Sequence, residues 1–207
     1  MDQITIVDGA DDAEIAGWIA TLLTGALAAA AGGRVAITVP GGSTPFPILA
    51  ELARAPLPFA QIEVWPGDDR IVPEAHPASN VGRIRVLLEP AGARVVALAE
   101  HAPVPHFALA WLGMGTDGHI ASLFPNADPR ADDPLAVRRI VPDPLPPEAP
   151  FARLSLTIPA LASADALLFV IRGPDKAALF DAGLAGAHDL PVARLLRATR
   201  APVQCFR

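Results

Sequence analysis

Short apolar runs recur along the chain with breaks of glycine, proline or charge between them. Val35-Ala36-Ile37-Thr38-Val39, Ile62-Glu63-Val64-Trp65, Phe107-Ala108-Leu109-Ala110-Trp111-Leu112 and Ala166-Leu167-Leu168-Phe169-Val170-Ile171 are each of strand length and predict buried strands. Ile4 to Val7, Arg94 to Leu98, Val137 to Val141, Arg153 to Thr157 and Pro202 to Phe206 predict further strands. Between the first two lies a different period. Ile15, Trp18, Ile19, Leu22, Leu23 and Leu27 fall on one helical stripe with small residues opposite, capped by Asp11 or Asp12 and closed by Gly32-Gly33. Thr44 before Pro45 makes an N-cap and first-turn pair for a helix to about Arg54. Ser79-Asn80 caps another to about Leu88, with Val81, Ile84, Leu87 and Leu88 inward and Arg83 and Arg85 solvated. Helices are also expected after Pro174 and over Val192 to Ala198.

Glu100 to His106 is too short and proline-rich for a full helix. Asn126 to Pro134 reads as a polar surface loop and Pro142 to Pro150 as a rigid excursion. Strands alternating with helices predict a three-layer α/β domain with a mainly parallel open sheet, Rossmann-like, as one unit over residues 1–207. Right-handed crossovers would gather the loops that follow the strands on one sheet edge.

Composition narrows the class. The chain has 207 residues, 52% of them hydrophobic and 18% charged, enough for a sizeable core. The stretch between Glu14 and Arg34 has no charge, but its Ala, Gly and Thr content and its stripe indicate a buried amphipathic helix and no membrane span. The acidic start, with Asp2, Asp8, Asp11 and Asp12, does not suit a secretory signal. Net charge of −6 with no basic block argues against a nucleic-acid partner, and local positive charge can still serve an anionic small molecule. A lone cysteine, Cys205, excludes a disulfide framework or a cysteine-based zinc site and suits the cytoplasm.

Candidate chemistry concentrates after the strand that ends at Leu112. Gly113-Met114-Gly115-Thr116-Asp117-Gly118-His119 sets a carboxylate and an imidazole two residues apart on a glycine-rich loop. The Ile120-Ala121-Ser122-Leu123-Phe124 run that follows can begin a short helix whose N–H groups face the same place. Gly41-Gly42-Ser43-Thr44 lies between a strand and a helix start, which makes either an anion cradle or an ordinary turn. Asp68-Asp69-Arg70, past the end of another strand, is either part of a site or a solvated turn. Lys176 occupies a first helical turn, where the dipole disfavours a cation, so it is either solvated or set against an anion. Arg153 can simply be at the surface. His76, His101, His106 and His188 show no ligand spacing and are assigned no role.

Taken together, Gly41-Gly42-Ser43-Thr44-Pro45, Asp68-Asp69-Arg70, Ser79-Asn80, Gly113-x-Gly-x-Asp-Gly-His119-x-Ala-Ser-Leu-Phe-Pro125, Arg153-Leu-Ser-Leu-Thr157 and Gly173-x-x-Lys176 resemble, in order, the 6-phosphogluconolactonases of the glucosamine-6-phosphate isomerase/6-phosphogluconolactonase family. The resemblance implies a glucosamine-6-phosphate deaminase-like fold and hydrolysis of a phosphorylated sugar lactone. Two other classes share that fold: glucosamine-6-phosphate deaminases, in which Ala-Phe-Asn-Glu-Pro stands where this chain has Ala121 to Pro125, and sugar-phosphate sensing domains, which usually carry a DNA-binding segment. This chain departs from the family at Asp69 (usually Glu), Ala108 (usually Asp), Ile120 (usually Thr), and at Glu100 to His106, where a peripheral helix is common.

A δ-lactone is an activated ester, so water positioned by a base suffices and neither metal nor organic cofactor is needed. His119 suits the base, since imidazole titrates near neutrality, and Asp117 suits its orientation. N–H groups of the Gly113, Gly115 and Gly118 loop are candidate oxyanion donors. The resemblance places the phosphate in the Gly41, Gly42, Ser43, Thr44 cradle with Arg70 and Lys176, and Arg153 as a further contact. The expected partner is the small sugar-phosphate lactone alone, bound by a monomer or small homo-oligomer.

Overall fold

The structure is a computed structural model describing residues 4–143 and 150–207; most of the excursion expected at Pro142 to Pro150 lies outside them. Seven strands form one wholly parallel sheet. In chain order they are β1 (Ile4–Val7), β2 (Val35–Val39), β3 (Ile62–Pro66), β5 (Arg94–Val95), β6 (Phe107–Leu112), β9 (Leu167–Val170) and β10 (Val203–Phe206), arranged β1-β10-β9-β6-β2-β3-β5. Both faces are covered, which is why the central strands read as unbroken apolar runs. Leu109, Trp111, Leu168 and Val170 face a layer made by α1 (Asp12–Ala29), α2 (Pro45–Leu52) and α3 (Asn80–Leu88). On the other face Phe107, Ala110, Leu112, Leu167 and Phe169 pack toward α4 (Ile158–Ala162), α5 (Pro174–Leu184) and α6 (Pro191–Ala198). The three-layer expectation holds.

Helix α1 starts where a capping box fixes it. The Asp11 carboxylate accepts the Glu14 N–H at 2.8 Å, and the Glu14 carboxylate accepts the Asp11 N–H at 2.9 Å. Ile15, Ile19, Leu23 and Leu27 are buried along its inner stripe, with Trp18 edge-on to Phe206. The helix ends before the expected glycines, with Ala30 as its C-cap and Ala31 already at φ 48°. Among the described residues no helix is long and apolar enough to cross a membrane.

A second sheet was not foreseen. β4 (Asp68–Arg70), β8 (Arg153–Leu156) and β7 (Val137–Ile140) pair antiparallel in the order β4-β8-β7. Gly67 joins the two sheets: its N–H donates to the Val39 carbonyl and its own carbonyl accepts the Leu156 N–H, each at 2.9 Å. Asp68-Asp69-Arg70 is therefore not a solvated turn, and Asp68 and Asp69 are buried. Arg153 is also buried, against the surface alternative.

Other expectations need correction. No helix begins at Ile120; Ala121 has a positive φ of 49°, and only a single 3-10 turn forms, at Pro125–Ala127. Thr44 stands at the N-cap of α2 but is helical itself and makes no side-chain capping bond. The strand expected from Arg94 to Leu98 has two residues, and α4 went unread. Arg83 is exposed and lies 4.1 Å over the Phe46 ring, while Arg85 is held by Glu74 and Glu89.

Candidate active site

From β2 the chain runs to β3 and β5 on one side, then returns to β2's other flank as β6. The carboxyl ends of β2 and β6 thus flank the point where strand order reverses, the place where open parallel sheets bind ligands. A cleft of about 290 Å³ opens there. Gly41, Gly42, Ser43 and Thr44 border it after β2, Gly113, Gly115 and His119 after β6, Arg70 and Arg153 from the second sheet, and Lys176 from the first turn of α5. Loops separated by more than a hundred residues in sequence share one space. Asp117 and Gly118 are not among the residues that line the cleft.

The imidazole is held from behind. His119 Nδ1 lies 2.6 Å from Asp117 Oδ1, which also accepts the His119 backbone N–H at 3.1 Å. Burial opposes the charge on Asp117, but the His119 N–H and imidazole outweigh it and hold the carboxyl below its ordinary value. That leaves Nε2 as the imidazole nitrogen available to a ligand. Phe124 packs on the ring at 4.8 Å. The turn is tight: a Cβ at Gly115 would lie 2.2 Å from His119 Cε1 and Nδ1 and 2.6 Å from Asp117 Oδ1.

The expected oxyanion donors are not all available. The Gly115 N–H donates to the His119 carbonyl at 2.9 Å and the Gly118 N–H to the Gly115 carbonyl at 3.1 Å. These two bonds close the loop on itself, so neither N–H can meet a ligand. Gly118 has a supporting place instead. With φ 78° it packs under Leu190, and its carbonyl accepts the Val192 N–H at the start of α6.

The opposite wall is cationic. Arg70 and Arg153 are direct partners in the β4–β8 register, and cross-strand like charges are unfavourable without a counter-charge. Burial first, and then the neighbouring Arg70 charge, lowers the Arg153 pKa, with Asp68 opposing. Arg153 also lies 5.4 Å over the Phe124 ring. Lys176 has no ion-pair partner among the described residues, and Arg172, which sequence reading treated only as a strand end, joins this wall while bonded at 3.3 Å to Asp12. Asp68 is the single acidic group among the described lining residues. A chain of net charge −6 therefore presents a positive cleft, which focuses anions locally. Among the described residues no three His, Cys, Asp or Glu side chains are grouped so as to hold a metal ion.

A buried polar layer supports both walls. The Ser122 hydroxyl donates to Asp68 Oδ2 at 2.5 Å, and the Ser122 N–H to Ser155 Oγ at 3.2 Å. Asp69 accepts the N–H groups of Asn80 at 2.6 Å, Val81 at 3.0 Å and Arg70 at 2.8 Å, which fixes the start of α3. Burial still raises its pKa against those bonds, and Asp68 adds to the rise. The shorter acid at position 69 thus reaches the helix N-terminus and is fully engaged.

Comparisons with known proteins bear on the chain and its fold as a whole. The family model described as glucosamine-6-phosphate isomerases/6-phosphogluconolactonase matches residues 10–102 and 88–203. A 6-phosphogluconolactonase of Pseudomonas aeruginosa is 38% identical, covering 90% of this chain and 85% of its own length. One from Caulobacter vibrioides is 34% identical, covering 89% of each. Among solved structures, a 6-phosphogluconolactonase from Shewanella baltica superposes with a TM-score of 0.84 at 21% identity, covering 99% of this chain and 97% of that one. The enzyme from Thermotoga maritima does so at 0.80 and 23%, covering 98% and 97%, and these two likenesses speak for the fold.

Proposed function

The chain belongs to the glucosamine-6-phosphate isomerase/6-phosphogluconolactonase family, and we propose that it hydrolyses 6-phospho-D-glucono-1,5-lactone to 6-phosphogluconate with His119 as the base. The observation that carries this reading is one cleft holding an Asp-oriented imidazole at one wall and a cationic, glycine-lined anion site at the other. Neutral His119 takes a proton from water through Nε2 while the water oxygen attacks the lactone carbonyl carbon. The tetrahedral intermediate collapses by breaking the bond from that carbon to the ring oxygen. The imidazolium returns its proton to the leaving alkoxide, and Asp117 holds Nδ1–H throughout. The Gly41 to Thr44 backbone, Arg70, Lys176 and Arg153 receive the phosphate, setting the carbonyl carbon near His119. With Gly115 and Gly118 excluded, Gly113 is the remaining oxyanion donor of the three loop glycines. The protein works as one domain and in the cytoplasm. Its Cys205 thiol, pushed up to about 11 by burial, takes no part.

The ending Ala121-Ser122-Leu123-Phe124-Pro125 favours lactone opening over deamination. Ser122 is turned to Asp68 and Phe124 covers the imidazole, so no second acid stands on this loop beside His119. The test is turnover of freshly made 6-phosphogluconolactone above its spontaneous hydrolysis, run beside ammonia release from glucosamine 6-phosphate. Lactone turnover without ammonia is expected. Ammonia release at a comparable rate would replace this reading by a deaminase, and tight binding without turnover by a sensor.

A further inference from the structure

Asn80 is buried to 3% exposure between the two halves of the anion site, and both ends of its amide are committed. Oδ1 accepts Arg70 Nη1–H at 2.7 Å, and Nδ2 donates to the Asp68 carbonyl at 2.8 Å. The orientation is unique. Reversed, the amide would set N–H against the guanidinium and oxygen against a carbonyl. The Gly41 backbone passes directly over the same amide: a Cβ on Gly41 would lie 1.9 Å from Asn80 Oδ1. One side chain therefore touches the glycine cradle and holds the arginine beside it. Arg70 gives Nη1 to Asn80 and to the Ala78 carbonyl, while its buried Nε has no hydrogen-bond partner among the described residues.

Resting on the reading of this cleft as a phosphorylated-lactone site, we propose that Asn80 is a positioning residue that fixes the Arg70 guanidinium against the Gly41 to Thr44 backbone, and that preference for phosphorylated over unphosphorylated lactone depends on it. Asn80 does this without meeting the reacting carbon. It acts through Arg70, so its effect must vanish when Arg70 is absent. A residue that merely stabilised the fold would affect both substrates alike and would do so whether or not Arg70 were present.

The experiment measures kcat/KM for 6-phosphogluconolactone and for unphosphorylated gluconolactone in Asn80→Ala, Arg70→Ala and the double variant, with folding checked by thermal midpoint. Asn80→Ala should lose about 10-fold or more on the phosphorylated substrate, the usual scale for a hydrogen bond to a charged group, and about twofold or less on the other. The inhibition constant of inorganic phosphate should rise by a similar factor. In the Arg70→Ala background the Asn80→Ala change should cost about twofold or less. If Asn80→Ala does not fold, Asn80→Ser carries the same comparison, since its hydroxyl is too short to reach Arg70. Equal losses on both lactones, an undiminished loss without Arg70, or full activity of the Asn80 variant beside a damaged Arg70→Ala would each overturn the role of Asn80 alone. An Arg70→Ala variant with unchanged substrate preference would overturn the phosphate reading, and the role of Asn80 with it.

Discussion

Gly115→Ala is the sharpest probe of the His119 corner, because the structure fixes both the direction and the size of its effect. The residue does not have a positive φ, so the backbone itself accepts alanine. What the new methyl meets is the imidazole, at 2.2 Å from Cε1 and Nδ1, and Asp117 Oδ1 beside it at 2.6 Å. Ordinary contact begins near 3.4 Å, so the ring must move by about 1.2 Å. The ring is pinned by Asp117 at 2.6 Å and covered by Phe124, so it cannot move without breaking the alignment of Nε2. A misplacement of about 1 Å costs on the order of 100-fold in rate, or about 2.7 kcal/mol of barrier. Gly25→Ala is the control. Its methyl would have nothing within 4 Å, and α1 does not line the cleft. The assay is kcat on fresh 6-phosphogluconolactone, corrected for spontaneous hydrolysis, with thermal midpoints for both variants. Near-normal kcat in a folded Gly115→Ala protein would refute the argument. So would an equal loss in Gly25→Ala, since the damage would then not run through the imidazole.

Removing the proposed base, His119→Ala should keep the fold and lose about two to four orders of magnitude in kcat, with Asp117→Asn losing less; a folded His119→Ala protein at normal kcat would end the assignment. Lys176→Ala should cost about 1.5–3 kcal/mol in kcat/KM on the phosphorylated lactone and far less on unphosphorylated gluconolactone, measured side by side; equal losses would make Lys176 a structural residue. The depressed folded-state pKa of Asp117 gives a stability contribution that is present above the unfolded carboxylate value, about 4, and is lost as pH falls from there through the folded value. Urea midpoints should therefore separate wild type from Asp117→Asn more at about pH 6 than at about pH 3, and a constant gap would contradict the sign.

Much of this fold is legible in the chain because its central strands are buried on both faces. Phe107–Leu112 and Leu167–Val170 need no alternation to be recognised, only length and the glycines that end them. Helix α1 announces itself through its stripe and Asp11. The antiparallel sheet does not, since its strands have three or four residues and their Asp69 and Arg153 look like solvated charges until burial is known. Pro159 hides the five residues of α4 by reading as a breaker, although it occupies the first turn, where proline is tolerated. Ile120 to Phe124 misleads in the other direction. Its spacing suits a helix, but Ser122 is drawn to Asp68, 54 residues away in sequence, and Ala121 turns to positive φ to allow it. A tertiary bond overrides a local preference there.

The same override explains why the site exists at all. Every residue proposed for chemistry or phosphate, Arg153 excepted, could be picked out singly, by type and by place after a strand or at a helix start. Their assembly depends on Gly67, where the chain leaves the parallel sheet and begins β4, bringing Arg70 opposite Arg153 over the cleft. That pairing sets two like charges side by side, an arrangement that a folded chain tolerates only with compensation nearby. Asp68 supplies part of it, and Asp68 is also where Ser122 from the His119 loop and Asn80 from behind the glycine cradle converge. The proposed base and anion site are thus tied through one buried carboxylate and its peptide carbonyl. Placement of His119 relative to the proposed phosphate site comes from this layer of polar groups, and its partners are too far apart in sequence for any local pattern to reveal them.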